Sequence, residues 1–99
     1  MKKIAIVQEA PILLDRERTL DLAVRLVEQA AAGGAELVVF PEAFISGYPS
    51  WVWRLRPGGD WGLSEELHSR LLNSSVDLVA NELSLLCDAA VNNKITIVC

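Results

Sequence analysis

The chain has 99 residues, enough for one small domain and too few for two. A composition 52% hydrophobic and 22% charged is globular rather than disordered. A net charge of -4, with no basic run beyond Lys2-Lys3, argues against a nucleic-acid surface.

The opening MKKIAIVQEA has two lysines and an apolar run, but Gln8 and Glu9 stop that run short of a secretion signal's core. Within it, KIAIVQ at 3–8 is short and β-branched, the pattern of a strand buried on both faces. Asp15 is placed to N-cap a helix, with Glu17 in the first turn where the helix dipole favours a negative charge. Leu20, Ala23, Val24, Val27 and Ala31 recur at helical spacing and give that helix one apolar face. Gly33-Gly34 ends it, because glycine enters the left-handed C-terminal conformation without a Cβ clash. ELVVF at 36–40 predicts a second buried strand, stopped by Pro41, which has no N–H to give a central ladder.

A long loop rich in Trp, Gly and Pro covers 46–62. Ser64 is then placed to cap a helix with Glu65 and Glu66 in its first turn and Leu63, Leu67 and Leu71 as its stripe. SSVDLV is ambiguous, with an extended conformation open to it. From about Asn81 a third helix carries Leu83, Leu86, Cys87 and Ala90 on one face and ends near Asn92-Asn93. ITIVC at 95–99 predicts a third strand. Strand and helix alternate, so the fold class is α/β, and right-handed crossovers make the three strands parallel. The third apolar strand stands at the chain end with nothing to turn or cover it, so the expectation is the N-terminal part of one larger domain.

Glu42 follows the second strand directly, in FPEAFISGYP at 40–49. In open α/β sheets ligands sit beyond the carboxyl ends of the strands, where Glu42 falls. Phe40, Phe44 and Ile45 would give it low-polarity surroundings that suit a proton-transfer group. On spacing alone, the competing reading is a carboxylate in the first turn of a short helical segment, facing solvent.

The stretch Gly34, Leu37-Val38, Phe40, Glu42, Ile45 and Gly47-Tyr48-Pro49 resembles the N-terminal motif of the nitrilase, or carbon–nitrogen hydrolase, superfamily. KIAIVQEAP and LCDAAVNNKITIVC are similar to that family's first and third strand regions. The resemblance implies an αββα-sandwich hydrolase without metal or cofactor, in which a cysteine thiol attacks a nitrile or amide carbon. A glutamate acts as general base and a lysine stabilises the developing charge. Of these three, only the glutamate maps onto this sequence, at Glu42. The lysine and the nucleophilic cysteine fall past residue 99 in the family pattern. GYPSWVW looks more like true nitrilases than like amidases, which favours a nitrile substrate. An amidase of the same superfamily and a non-catalytic interaction fragment are the alternatives.

The remaining reactive side chains read as ordinary. Cys87 sits on an apolar stripe as a small hydrophobe, and Cys99 ends a strand rather than standing at a nucleophile turn. Lys94 fits a solvated helix-to-strand connection, and His68 is alone, without partners at metal-ligand spacing. Tyr48, Trp51 and Trp53 are candidates for a substrate pocket wall, with a subunit interface or a plain structural role equally open to both tryptophans. Arg54 and Arg56 are free to pair with acids elsewhere in a longer chain. Two cysteines and no export signal point to a reducing cytoplasm, no apolar stretch suits a membrane, and the family resemblance implies a homo-oligomer.

Overall fold

Three strands, β1 (Ile4–Ile6), β2 (Leu37–Val39) and β3 (Thr96–Val98), form a parallel sheet in the order β1-β2-β3. The computed structural model describes residues 2–99. Helix α1 (Arg16–Ala32) joins β1 to β2, while a 3-10 turn (Ser50–Trp53), α2 (Trp61–Ser74) and α3 (Ser84–Asn93) lie between β2 and β3. The parallel α/β order is the predicted one. Ile4, Leu37 and Thr96 stand level at one end of the sheet, and Ile6, Val39 and Val98 at the other.

Local chemistry sets the boundaries of α1. The Asp15 carboxylate accepts from the Arg18 N–H at 3.0 Å, and Glu17 occupies the first turn. At the far end Gly34 has φ +84°, its N–H donating to Ala31 O at 2.9 Å while Ala35 N–H reaches back to Ala30 O at 3.0 Å. This is the glycine-closed helix end that returns two stranded carbonyls to hydrogen bonding. Helix α3 ends with the same pair of bonds, from Lys94 N–H to Val91 O and from Ile95 N–H to Ala90 O, but here the left-handed residue is Lys94, at φ 51°. Both turns seat an apolar residue in the core, Ala35 or Ile95, and the next residue opens the strand ladder: Glu36 N–H donates to Lys3 O and Thr96 N–H to Glu36 O.

The core lies on one face of the sheet only. Leu20, Ala23 and Val27 of α1 and Leu86 and Ala89 of α3 pack together over Val7, Val38 and Phe40. Thr19 is fully buried among them, and its hydroxyl accepts from Ile12 N–H at 3.0 Å and donates to Ile12 O at 2.9 Å. One side chain therefore satisfies both polar groups of a loop residue. The opposite face carries Ile4, Ile6 and Val98, exposed at 58%, 73% and 50%. The expectation of strands buried on both faces is thus met on one face alone, because α1 and α3 share a side. The radius of gyration is 15.7 Å, against about 13 Å for a compact domain of this length.

The starts of α2 and α3 and the burial of the α2 stripe differ from expectation, and the open reading of SSVDLV is resolved. Helix α2 begins at Trp61, not after a Ser64 cap; Ser64 N–H already donates to Asp60 O within the first turn. Its stripe is not buried: Leu63 is exposed, Leu67 and Leu71 are half-buried, and Ser74 alone is buried, its hydroxyl donating to Leu14 O at 2.8 Å. Arg16 fastens the same end, donating to Ser75 O at 2.7 Å and pairing with Glu82 at 2.9 Å. SSVDLV runs from the end of α2 into turns rather than a strand. The Asp77 carboxylate accepts from Val79 and Ala80 N–H, a local bonding pattern that competes with regular structure. Helix α3 consequently starts at Ser84 rather than near Asn81.

Candidate active site

The ladder between β2 and β3 ends where Phe40 N–H donates to Val98 O at 2.8 Å. Pro41 has no N–H with which to continue it. Residues 42–46 turn, and Gly47 N–H closes that turn on Ala43 O at 2.8 Å. Glu42 therefore stands just past the carboxyl end of β2, the central strand, at the position where parallel sheets present ligands.

The residues around Glu42 divide by side. Phe40, Phe44 and Ile45 are buried at 6%, 2% and 6% exposure, whereas Glu42 is exposed. The low-polarity surroundings expected from these three residues are not formed, since they turn into the core behind Glu42 and leave its carboxylate in solvent. No other ionisable side chain is bonded to it among the described residues.

A feature that sequence reading missed is the backbone at Ala43, φ 55°. For a residue with a Cβ the left-handed region costs about 1–2 kcal/mol. The signal for it was in the spacing. Phe40, Glu42 and Phe44 alternate at period two and would share one face of a continued strand, so two buried rings and an exposed carboxylate require a break between them.

Tyr48 and Trp53 are exposed at 52% and 79%, and Trp51 is half-buried in the 3-10 turn. The Gly47 turn brings Tyr48 back toward the segment of Glu42, but the two tryptophans pack on no part of the core. Arg56 finds its partner locally: its guanidinium and its own N–H bond to Asp60 at 2.7–3.3 Å, which corrects the expectation of a distant acid.

Cys99 lies past β3 on the same carboxyl edge as Glu42, and desolvation pushes its thiol pKa up. A raised thiol pKa reduces the thiolate fraction and works against nucleophilic use. Cys87 is exposed, which corrects its assignment to the buried stripe. Leu83, Leu86 and Ala89 pack in the core, and Cys87 sits on their flank, lining with Ala90 and Cys99 an apolar cleft along β3. His68 is exposed on α2. No helix among the described residues is long and apolar enough to cross a membrane.

The sequence model of the Carbon-nitrogen hydrolase family matches residues 3–99. The chain belongs to the carbon–nitrogen hydrolase family. It is similar to an arylacetonitrilase of Aspergillus oryzae, 38% identical over 96 residues that make up 97% of this chain and 27% of the relative. A nitrilase of a Bacillus species is 40% identical over 90 residues, 91% of this chain and 25% of that protein. An aliphatic nitrilase of Rhodococcus rhodochrous is 49% identical over a shorter stretch of 51 residues, 52% of this chain and 13% of its own length. This carbon–nitrogen hydrolase chain thus spans about a quarter of the length of the first two relatives.

Proposed function

We propose that the 99 residues form part of a larger αββα-sandwich hydrolase that converts a nitrile to a carboxylic acid and ammonia, with Glu42 as its general base. The observation that carries this reading is the exposed carboxylate just past the central strand's carboxyl end, in a chain whose relatives bear the names nitrilase and arylacetonitrilase. In this reading the thiol of a cysteine elsewhere in the complete protein loses its proton to Glu42 and adds to the nitrile carbon, giving a thioimidate. Water attacks that carbon, ammonia leaves, and a second water releases the acid from the thioester. Glu42 passes the thiol proton on to the nitrile nitrogen, then takes a proton from the attacking water and returns it to the nitrogen that leaves as ammonia, so one carboxylate serves both halves of the cycle. A lysine, also elsewhere in the complete protein, stabilises negative charge on the substrate nitrogen. Tyr48, Trp51 and Trp53 are assigned to the pocket wall, the tryptophans also being available to a neighbouring subunit of a homo-oligomer. The uncovered sheet face with Ile4, Ile6 and Val98 supports a second layer against it. A cytoplasmic location belongs to the same reading.

The test uses the complete enzyme and measures ammonia release from matched arylacetonitrile and arylacetamide substrates. Glu42→Gln should lower turnover by about 10²–10⁴-fold with an unchanged circular-dichroism spectrum. Near-wild-type turnover in that variant would remove Glu42 from the role of base. Preference for the amide over the nitrile would move the protein to the amidase branch.

A further inference from the structure

We infer that Ala43 is a positioning residue for Glu42, acting through its left-handed backbone rather than through its side chain. The inference rests on the assignment of Glu42 as base and extends it to the device that presents the carboxylate. Four observations converge on this one residue. Its φ is 55°, a conformation that residues bearing a Cβ rarely adopt. On its N-terminal side Phe40 is buried and tied to β3 through Val98 O. On its C-terminal side Phe44 is buried, its ring centroid 5.1 Å from that of Phe40. Its own carbonyl accepts from Gly47 N–H at 2.8 Å. The chain is thus held before, after and at Ala43, which is how a disfavoured φ is sustained.

The consequence concerns Glu42. Were residue 43 extended, side chains 42 and 44 would leave the backbone on the same side, and Glu42 would follow Phe44 into the apolar core. With residue 43 left-handed, Phe44 enters the core while Glu42 stays outside it, beyond the end of β2. Ala43 is itself exposed, so its methyl group contributes little packing. What matters is the conformation.

This separates from a packing role by the order in which substitutions act. Tolerance of the left-handed region runs Gly, then Asn, then Ala, with β-branched residues last. Side-chain size runs differently, because Asn is about as large as Val. In the complete enzyme, Ala43→Gly and Ala43→Asn should keep kcat of the same order as wild type, with an equal or higher melting temperature for the glycine variant. Ala43→Val should lower kcat by about 100-fold per folded active site, with KM changed far less, since a misplaced catalytic group costs on that scale. If Ala43→Val does not fold, Ala43→Leu, unbranched at Cβ but equally bulky, carries the same comparison against Ala43→Asn. Loss of kcat in Ala43→Asn equal to that in Ala43→Val or Ala43→Leu would overturn the inference. So would a valine variant with wild-type kcat. Glu42→Gln is assayed alongside: if it remains active the assignment of the base fails and this inference with it, whereas an inactive Glu42→Gln beside an indifferent Ala43 series sinks the positioning role alone.

Discussion

Phe40 and Phe44 stand two residues before and two after Glu42, and their rings meet behind it, centroids 5.1 Å apart and planes tilted by 52°. The rings are tilted between stacked and perpendicular, at a centroid distance aromatic pairs favour, and the pair closes the turn bearing the carboxylate onto the core. Such a pair contributes about 0.5–1.5 kcal/mol beyond the area it buries. In the complete enzyme, a double-mutant cycle of Phe40→Leu and Phe44→Leu should therefore show a coupling of about that size by denaturant unfolding. Additive losses would mean that the rings are merely buried near each other.

Glycine at 47 is favoured mainly by its backbone and in smaller part by the space beside it. Its φ is +87°, and a Cβ built on it would sit 2.6 Å from Leu13 Cδ1. Gly47→Ala should cost about 1–3 kcal/mol, combining backbone strain with that collision. Leu13 is 51% exposed, so Leu13→Ala is mild by itself. Adding it to Gly47→Ala should recover the steric part and leave the strain. If the double variant is as unstable as the sum of the singles, the contact with Leu13 is not what excludes a side chain.

How far the sequence revealed this arrangement depends on which forces act locally. Asp15 acts through its own carboxylate and Gly33-Gly34 and Pro41 through their own backbones, all within a few residues, and the helix and strand they bound could be read directly. The position of Glu42 followed from Pro41 and from a family motif. Cys87 was misplaced because spacing defines a stripe but not which flank of it is covered; that depends on where β3 lies, a contact made between distant residues. Ser64 precedes two glutamates and so carries the pattern of a cap, yet Asp60 opens the helix four residues earlier. The one-sided burial of the sheet was hidden for a similar reason: apolar residues at every strand position predict two covered faces, and these residues supply a cover for one. Alanine at 43 gives no signature of its own, and the only signal is the period-two spacing of Phe40, Glu42 and Phe44 around it. Its conformation is imposed by Phe40, Phe44 and Gly47 around it.

The Arg56–Asp60 pair gives a pH dependence of definite sign. Side-chain hydrogen bonds from Arg56, and then the Arg56 N–H, hold the Asp60 carboxyl pKa below its ordinary value, against a smaller opposing effect of desolvation. A carboxylate with a depressed folded-state pKa favours the native loop above the ordinary aspartate range, and that contribution disappears as pH falls through the lowered value. Loop 56–60 should loosen in strong acid and show no change around neutrality. An NMR titration of Asp60 should have its midpoint below that of an unstructured aspartate, moving up in Arg56→Ala. A midpoint unmoved by that substitution would assign the shift to the backbone.

Lys94 occupies the position in α3 that Gly34 occupies in the equivalent turn of α1, with the same two hydrogen bonds and a Cβ in the left-handed region. Glycine there removes the strain, although it also loosens the unfolded chain. The balance of about 1–2 kcal/mol against about 0.5–1 kcal/mol favours the folded state. Lys94→Gly should therefore raise stability by up to about 1 kcal/mol, measured as a higher denaturant midpoint at constant slope. Lys94→Ala keeps the Cβ and should gain nothing. Should the two behave alike, the lysine charge rather than the backbone would be the source of any change.

Residues 1–99 prepared alone should neither turn over nitriles nor behave as a well-packed monomer. Ile4, Ile6 and Val98 form an exposed apolar row on the open sheet face, and β1 and β3 both present unpaired edges among the described residues. Such faces and edges associate with other copies unless something covers them. The expected behaviour is aggregation at micromolar concentration or a loosely packed state that binds a hydrophobic dye and melts without a sharp transition. Placing charges on the open face, as in Ile4→Lys with Ile6→Glu, should raise solubility without improving the melt, because the one-sided core of α1 and α3 is unchanged. No ammonia should be released from arylacetonitriles, since the only thiols are Cys87 on the flank of α3 and Cys99 with its raised pKa. Ammonia release that scales with the concentration of this chain and is lost in Glu42→Gln would reverse the conclusion, and would return Cys99, on the same sheet edge as Glu42, to consideration as the nucleophile.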